Sequence, residues 1–120
     1  MKKHTLEYLN QGESCSRSIL LGAAKTYGFT LSKSTLDSCN AIQAGFCIGG
    51  TCSAIVGAVM VLGMLFPEKD AQQKSLLLFY EIQSRWHCLE CCKLTLQFET
   101  CQDFICELCD ILEEIIALKT

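Results

Sequence analysis

Apolar positions along this chain recur at helical rather than strand spacing. The clearest stretch is the last one. Phe104, Ile105, Leu108, Ile111, Leu112, Ile115 and Ile116 fall at i, i+3/4, i+7 intervals, and Thr100 stands just upstream as a cap. Ser14 caps a helix running to Gly28, with Ile19, Leu20, Ala23 and Ala24 on one face. Ser34, with Asp37 three residues on, opens another that ends near Gly45. Thr51 caps a third reaching about Leu65, before Pro67, and a fourth runs from about Asp70 to near Leu96. Strand-type alternation is nowhere sustained. The expected fold is all-α: a compact bundle of four to five helices forming one domain over residues 1–120, with a Gly-rich turn before a buried central helix.

Composition narrows the function classes. Half of the 120 residues are hydrophobic, enough for a single core. Only 19% are charged and there is one proline, which excludes a disordered chain or a Pro-rich linker. The net charge of −3 argues against a general nucleic-acid binder. Charge is uneven: residues 97–120 hold six acids and one base, but the acids alternate with apolar positions and read as a solvated helix face. Residues 38–66 carry no charge, and Ala44–Phe66 is long enough to cross a bilayer. Gly45, Gly49, Gly50, Gly57 and Gly63, two cysteines and the lack of a flanking basic cluster favour a buried helix over a membrane span. Ala54, Gly57, Ala58 and Gly63 would let neighbouring helices approach it closely.

Ten cysteines are the outlying feature. The start, Met1 to Leu9, has basic residues but no apolar run behind them, so no secretory signal is read. Lys2 after Met1 and a tail without a prenylation cysteine give no lipidation signal. A cytoplasmic location with reduced thiols is therefore expected. In that setting the thiols point to metal binding, redox chemistry or burial rather than a disulfide framework.

Ser14-Cys15, Thr51-Cys52 and Thr100-Cys101 each place a thiol directly after a helix cap. The free N–H groups and positive dipole end there favour thiolate and lower the cysteine pKa. Three such sulfurs could converge at one end of a bundle. The competing reading is that free cysteine is a small buried hydrophobe; it is preferred for Cys39, Cys47 and Cys92. Cys88-x-x-Cys91 and Cys106-x-x-Cys109 are separated by fourteen residues, near the spacing of a four-thiolate zinc site, but both fall inside expected helices. His87 reads as an ordinary surface or boundary residue. Gly49-Gly50-Thr51-Cys52 has no P-loop lysine after it, and no CxxCH haem attachment motif is present.

Together these segments resemble a known family. Ser14 to Leu20 is similar to its amino-terminal Cys motif. Ala44 to Ala58 is similar to its Gly-rich turn and CGAxxG core. Trp86-His87-Cys88-Leu89-Glu90 resembles its third Cys motif, and Cys101, upstream of Ile111-Leu112-Glu113-Glu114, its last. This is the C-GCAxxG-C-C family of redox-type proteins, and the resemblance spans nearly the whole chain. It implies that the functional cysteines are Cys15, Cys52, Cys88 and Cys101. It further implies a small helical redox protein, related to a cysteine module that accompanies haem domains in split-Soret cytochromes, where an iron–sulfur centre is implied. Two departures stand out: Ser53 replaces the glycine after the core cysteine, and Cys47 sits in a turn that is usually plain glycine.

Three functions follow as expectations. In the first, Cys15, Cys52, Cys88 and Cys101 ligate an iron–sulfur cluster and move electrons to a redox partner protein. In the second, two of the same four cycle between thiol and disulfide without metal. In the third, the chain is a structural or interaction module holding zinc or nothing. A homodimer is compatible with all three.

Overall fold

The computed structural model describes residues 1–119; Thr120, the last position of the expected domain, lies outside the described residues. Seven α-helices follow one another: α1 (Lys2–Asn10), α2 (Cys15–Tyr27), α3 (Lys33–Asp37), α4 (Ser53–Leu65), α5 (Glu68–Trp86), α6 (Cys91–Leu94) and α7 (Cys101–Ala117). A π-type turn (Gly45–Gly49) precedes α4, and a 3-10 turn (Thr95–Gln97) follows α6. Among the described residues the strand-like pairing is a single isolated antiparallel bridge, Thr51 with Glu90. The fold is all-α, as the periodicity indicates.

The central helix is α4, packed against α2, α5 and α7. Ala54, Ile55, Ala58, Val61 and Leu62 are fully buried on it. Its small residues bring α2 close: a Cβ added to Gly57 would lie 3.0 Å from Ser16 O and 3.1 Å from Ser16 Cα. The same device brings α1 onto α2, where Gly22 faces Thr5 and an added Cβ would lie 2.8 Å from the Thr5 nitrogen. On α7 the predicted stripe is buried almost residue for residue, with Cys109 added to it and Ile116 half-buried. Asp103, Glu107, Asp110 and Glu114 face solvent, which makes the acidic stretch a wetted helix face. None of the described helices is long and apolar enough to cross a membrane, since α4 has only 13 residues.

Several boundaries differ from the sequence expectation, each for a local reason. The helix expected from about Asp70 to near Leu96 starts at Glu68 and stops at Trp86. His87 adopts a left-handed conformation (φ 61°) and donates its N–H to Gln83 O at 2.9 Å, the role glycine usually takes at a helix end. Residues 87–90 then leave the helix before α6 begins. The helix expected from Ser34 to near Gly45 is only α3, capped by Ser32, whose Oγ accepts from Thr35 N at 3.1 Å. It gives way to turns after Asp37, and the positive φ of Ala44, Gly45, Phe46 and Cys47 keeps any helix from continuing through Gly45. α1 carries no apolar periodicity and rests on its docking against α2.

A buried lysine fixes the far end. Lys74 on α5 is 1% exposed, and its Nζ donates to Ile115 O at 2.9 Å and Leu118 O at 2.8 Å. The Ile115 carbonyl also accepts the Leu118 N–H at 3.2 Å, and the ammonium adds a second bond there and one to the Leu118 carbonyl at the end of α7. The same ammonium lies 4.7 Å from the centroid of the Phe66 ring.

Candidate functional site

Four helices begin around one cavity at the opposite end of α7. Cys15 is the first residue of α2, behind Ser14, whose Oγ accepts from Arg17 N at 3.4 Å. Cys52 occupies the cap position of α4 itself, because Thr51 is taken up by the bridge to Glu90. Cys91 opens α6 and Cys101 opens α7. All four line a cavity of roughly 340 Å³, with Leu94, Phe98, Phe104 and Ile105 supplying much of its apolar wall.

Backbone pairing explains why Cys52 and Cys91 meet. Cys52 N donates to Leu89 O at 2.9 Å, and Cys91 N donates to Gly50 O at 2.6 Å. These two bonds flank the Thr51–Glu90 bridge and tie the entry of α4 to the entry of α6. The turn before α4 closes on itself through Gly50 N and Gly45 O, 2.8 Å apart. Its left-handed residues Ala44, Phe46 and Cys47 are the strained positions, at a cost of about 1–2 kcal/mol each. Gln43 and Ala44 close one side of the cavity. At the rim, Arg17 donates Nε to Leu36 O at 3.2 Å and pairs with Asp37 at 3.4 Å and Glu13 at 3.7 Å, which pins the start of α2 to the end of α3. Behind the cavity Trp86, Phe98 and Phe104 form an aromatic triad with centroids 5.2–5.5 Å apart.

The cysteine set from the sequence is thus placed unevenly. Cys15, Cys52 and Cys101 share the cavity. Cys88 does not line it; it is buried to the side, and its Sγ accepts from Gln97 Nε2 at 3.4 Å. Cys91 stands at the cavity in its place. Nothing in the residues before Cys91 marks a helix start: Glu90 makes no side-chain cap, and the break rests on a left-handed histidine. The other thiols lie elsewhere. Cys39 is in the core, Cys47 and Cys92 are exposed, and Cys106 and Cys109 are on the body of α7. His87 is exposed, as a surface residue would be. Of the two CxxC pairs only Cys91 reaches the cavity, and among the described residues they form no four-thiolate group. Among the described residues no three His, Cys, Asp or Glu side chains are gathered so as to hold a metal ion.

Electrostatics correct one expectation. Helix starts were expected to lower the thiol pKa. Burial wins instead: it pushes Cys15 up to about 11, with the neighbouring Cys52, Cys101 and Cys91 raising it further. Cys52 is also raised by burial, although the N–H groups of Ile55 and Ala54 pull the other way. Cys91 is raised by burial and then by Cys101 and Cys92. In an apolar cavity, desolvation of a sulfur anion outweighs two or three amide dipoles. Cys15, Cys52 and Cys91 are therefore protonated at neutral pH when nothing is bound to them.

Neither a curated protein nor a solved structure matches this chain. One family profile does, over residues 13–115, which takes in all four cavity cysteines. The chain belongs to the family described as "Putative redox-active protein (C_GCAxxG_C_C)".

Proposed function

We propose that the cavity is the redox site and that Cys15, Cys52, Cys91 and Cys101 hold an iron–sulfur cluster used for electron transfer. The observation that carries this reading is the delivery of four thiols from four separate helix starts to one apolar cavity. Four cysteines are the ligand set of the common clusters. The absence of a three-ligand grouping for one ion is compatible with it, because in a cluster the thiolates bind different irons and stand farther apart. A cluster, when bound, supplies a one-electron carrier. The chain's own part is to give up the thiol protons, to point amide N–H groups at the sulfurs and to keep water away. Each of these sets the potential. The raised pKa values mean that loading releases protons and strengthens with pH. Cys88, the family's third cysteine as read from the sequence, lies outside this site, its Sγ accepting from Gln97 Nε2.

A thiol–disulfide couple among the cavity cysteines is the second reading. It suits the family description but is disfavoured by the same burial, since protonated thiols attack disulfides poorly.

Anaerobic purification followed by iron, sulfide and visible-absorbance measurement tests the proposal. The expected protein is brown, with iron and sulfide in equal amounts. Trp86 is the sole tryptophan and packs edge-on against Phe104 in the cavity wall, so its emission should be quenched on loading. A colourless protein that gains two thiols per chain on reduction would establish the second reading instead. Stoichiometric zinc without iron would remove both.

A further inference from the structure

The turn before α4 is held closed against strain. Ala44, Gly45, Phe46 and Cys47 follow one another in the left-handed region, at φ 54°, 62°, 62° and 65°. Only the glycine takes that conformation freely; the Cβ of each of the others crowds the following carbonyl oxygen. Little offsets this. Between residues 43 and 48 Gly45 alone is buried, while Phe46 is 47% and Ile48 84% exposed. Among the described residues the backbone hydrogen bonds of this stretch stay within the turn: Phe46 N donates to Ile42 O at 3.1 Å, and Gly50 N to Gly45 O at 2.8 Å. Firm anchors stand on both sides. Upstream, Cys39 is in the core and Ile42 packs against it. Downstream, Gly49 lies against Cys92, the Gly50 carbonyl accepts the Cys91 N–H, and Cys52 N donates to Leu89 O. The thinly held stretch between them includes Gln43 and Ala44, which belong to the cavity wall.

We propose that residues 43–48 are a flap on the cavity, which opens by local unfolding while residues 49–52 stay tied to the segment entering α6. Opening lets Ala44, Phe46 and Cys47 return to negative φ, so the strain of the closed turn favours the open state. Gln43 and Ala44 then leave the wall. The cavity gains a side entrance toward Cys52, which at 9% exposure is the most buried of its thiols. Closing shuts water out from whatever the cavity holds. The device rests on the cavity and its wall, and it stands whether the thiols carry a cluster or cycle as a disulfide.

The test alkylates metal-free, reduced full-length protein with N-ethylmaleimide at one pH and follows Cys52 and Cys109 separately by mass spectrometry of digests. Cys109 is fully buried in the body of α7 and reports global unfolding. Sub-denaturing urea should speed labelling of Cys109 steeply and leave that of Cys52 nearly flat, because a local opening exposes little new surface. Ala44→Gly combined with Cys47→Gly relieves the closed turn at two positions. The open population, and with it the Cys52 rate, should fall about tenfold. A Cys52 rate that the glycine pair leaves unchanged or raises, or one that climbs with urea as Cys109 does, overturns the flap. Neither arm uses iron, so a failure here is distinct from a failure of the cluster proposal.

Discussion

The cavity cysteines and the Cys106/Cys109 pair are chemically alike and positioned differently. Cys15 and Cys109 are both pushed up to about 11, and in both burial is the main cause. Cys109 lies in the body of α7 within the core, beside Thr5 of α1, and Cys106 is one turn earlier. Their surroundings are neighbouring helix sides. Cys15, Cys52, Cys91 and Cys101 instead stand where four helices start, and the chain entering each helix leaves space between them. A perturbed thiol is therefore no marker of a site in this molecule. Convergence of helix starts on a cavity is what sets the proposed site apart.

The sharpest way to break that contrast is to exchange one sulfur in each region. Cys52→Ser should remove essentially all bound iron, because Cys52 sits at the tie between α4 and α6. Cys109→Ser should leave iron content unchanged and lower stability by about 1 kcal/mol, from placing a hydroxyl in a packed interior. Metal analysis with urea melts separates the two effects. Equal iron loss in both would remove the distinction.

A second contrast sets the cavity end of α7 against its Lys74-capped end. Lys74→Ala removes two charge-assisted hydrogen bonds, to the Ile115 and Leu118 carbonyls, at the end of α7. It should cost about 3 kcal/mol, or roughly 10 °C in Tm, by calorimetry. Iron bound per folded chain should not change. Gly57→Ala should follow with about 1–2 kcal/mol, since the added methyl meets Ser16 backbone at 3.0 Å.

The smallest effect sharpens the comparison through pH. The folded-state pKa of Cys15, Cys52, Cys91 and Cys109 is raised above the unfolded value. Their contribution to metal-free stability is thus fully present below about pH 8.5 and is lost as pH rises through the folded values. The urea midpoint of metal-free protein should fall between pH 8 and 10.5, and Cys109→Ser should weaken that slope. A midpoint that rises over this range would reverse the sign assigned to burial.

Much of the fold was legible because α2, α4 and α7 bury regular apolar stripes and end at strong signals, Gly28 and Pro67 among them. Three of the four cavity thiols were legible because Ser14, Thr51 and Thr100 precede them. The rest was hidden for identifiable reasons. α1 buries only Thr5 and has no stripe to read. The end of α5 depends on a left-handed His87 where sequence patterns look for glycine. That one residue changes which cysteine of Cys88-x-x-Cys91 reaches the cavity. The raised thiol pKa is hidden because helix starts are visible in a sequence and the apolar wall of Phe98, Phe104 and Ile105 around them is not.

The most direct measurement is iron and sulfide content after anaerobic reconstitution of Cys91→Ser beside Cys88→Ser. The geometry predicts that Cys91→Ser stays colourless while Cys88→Ser holds as much iron as the unaltered chain. Iron retained by Cys91→Ser, or lost by Cys88→Ser alone, would contradict the four-helix-start site.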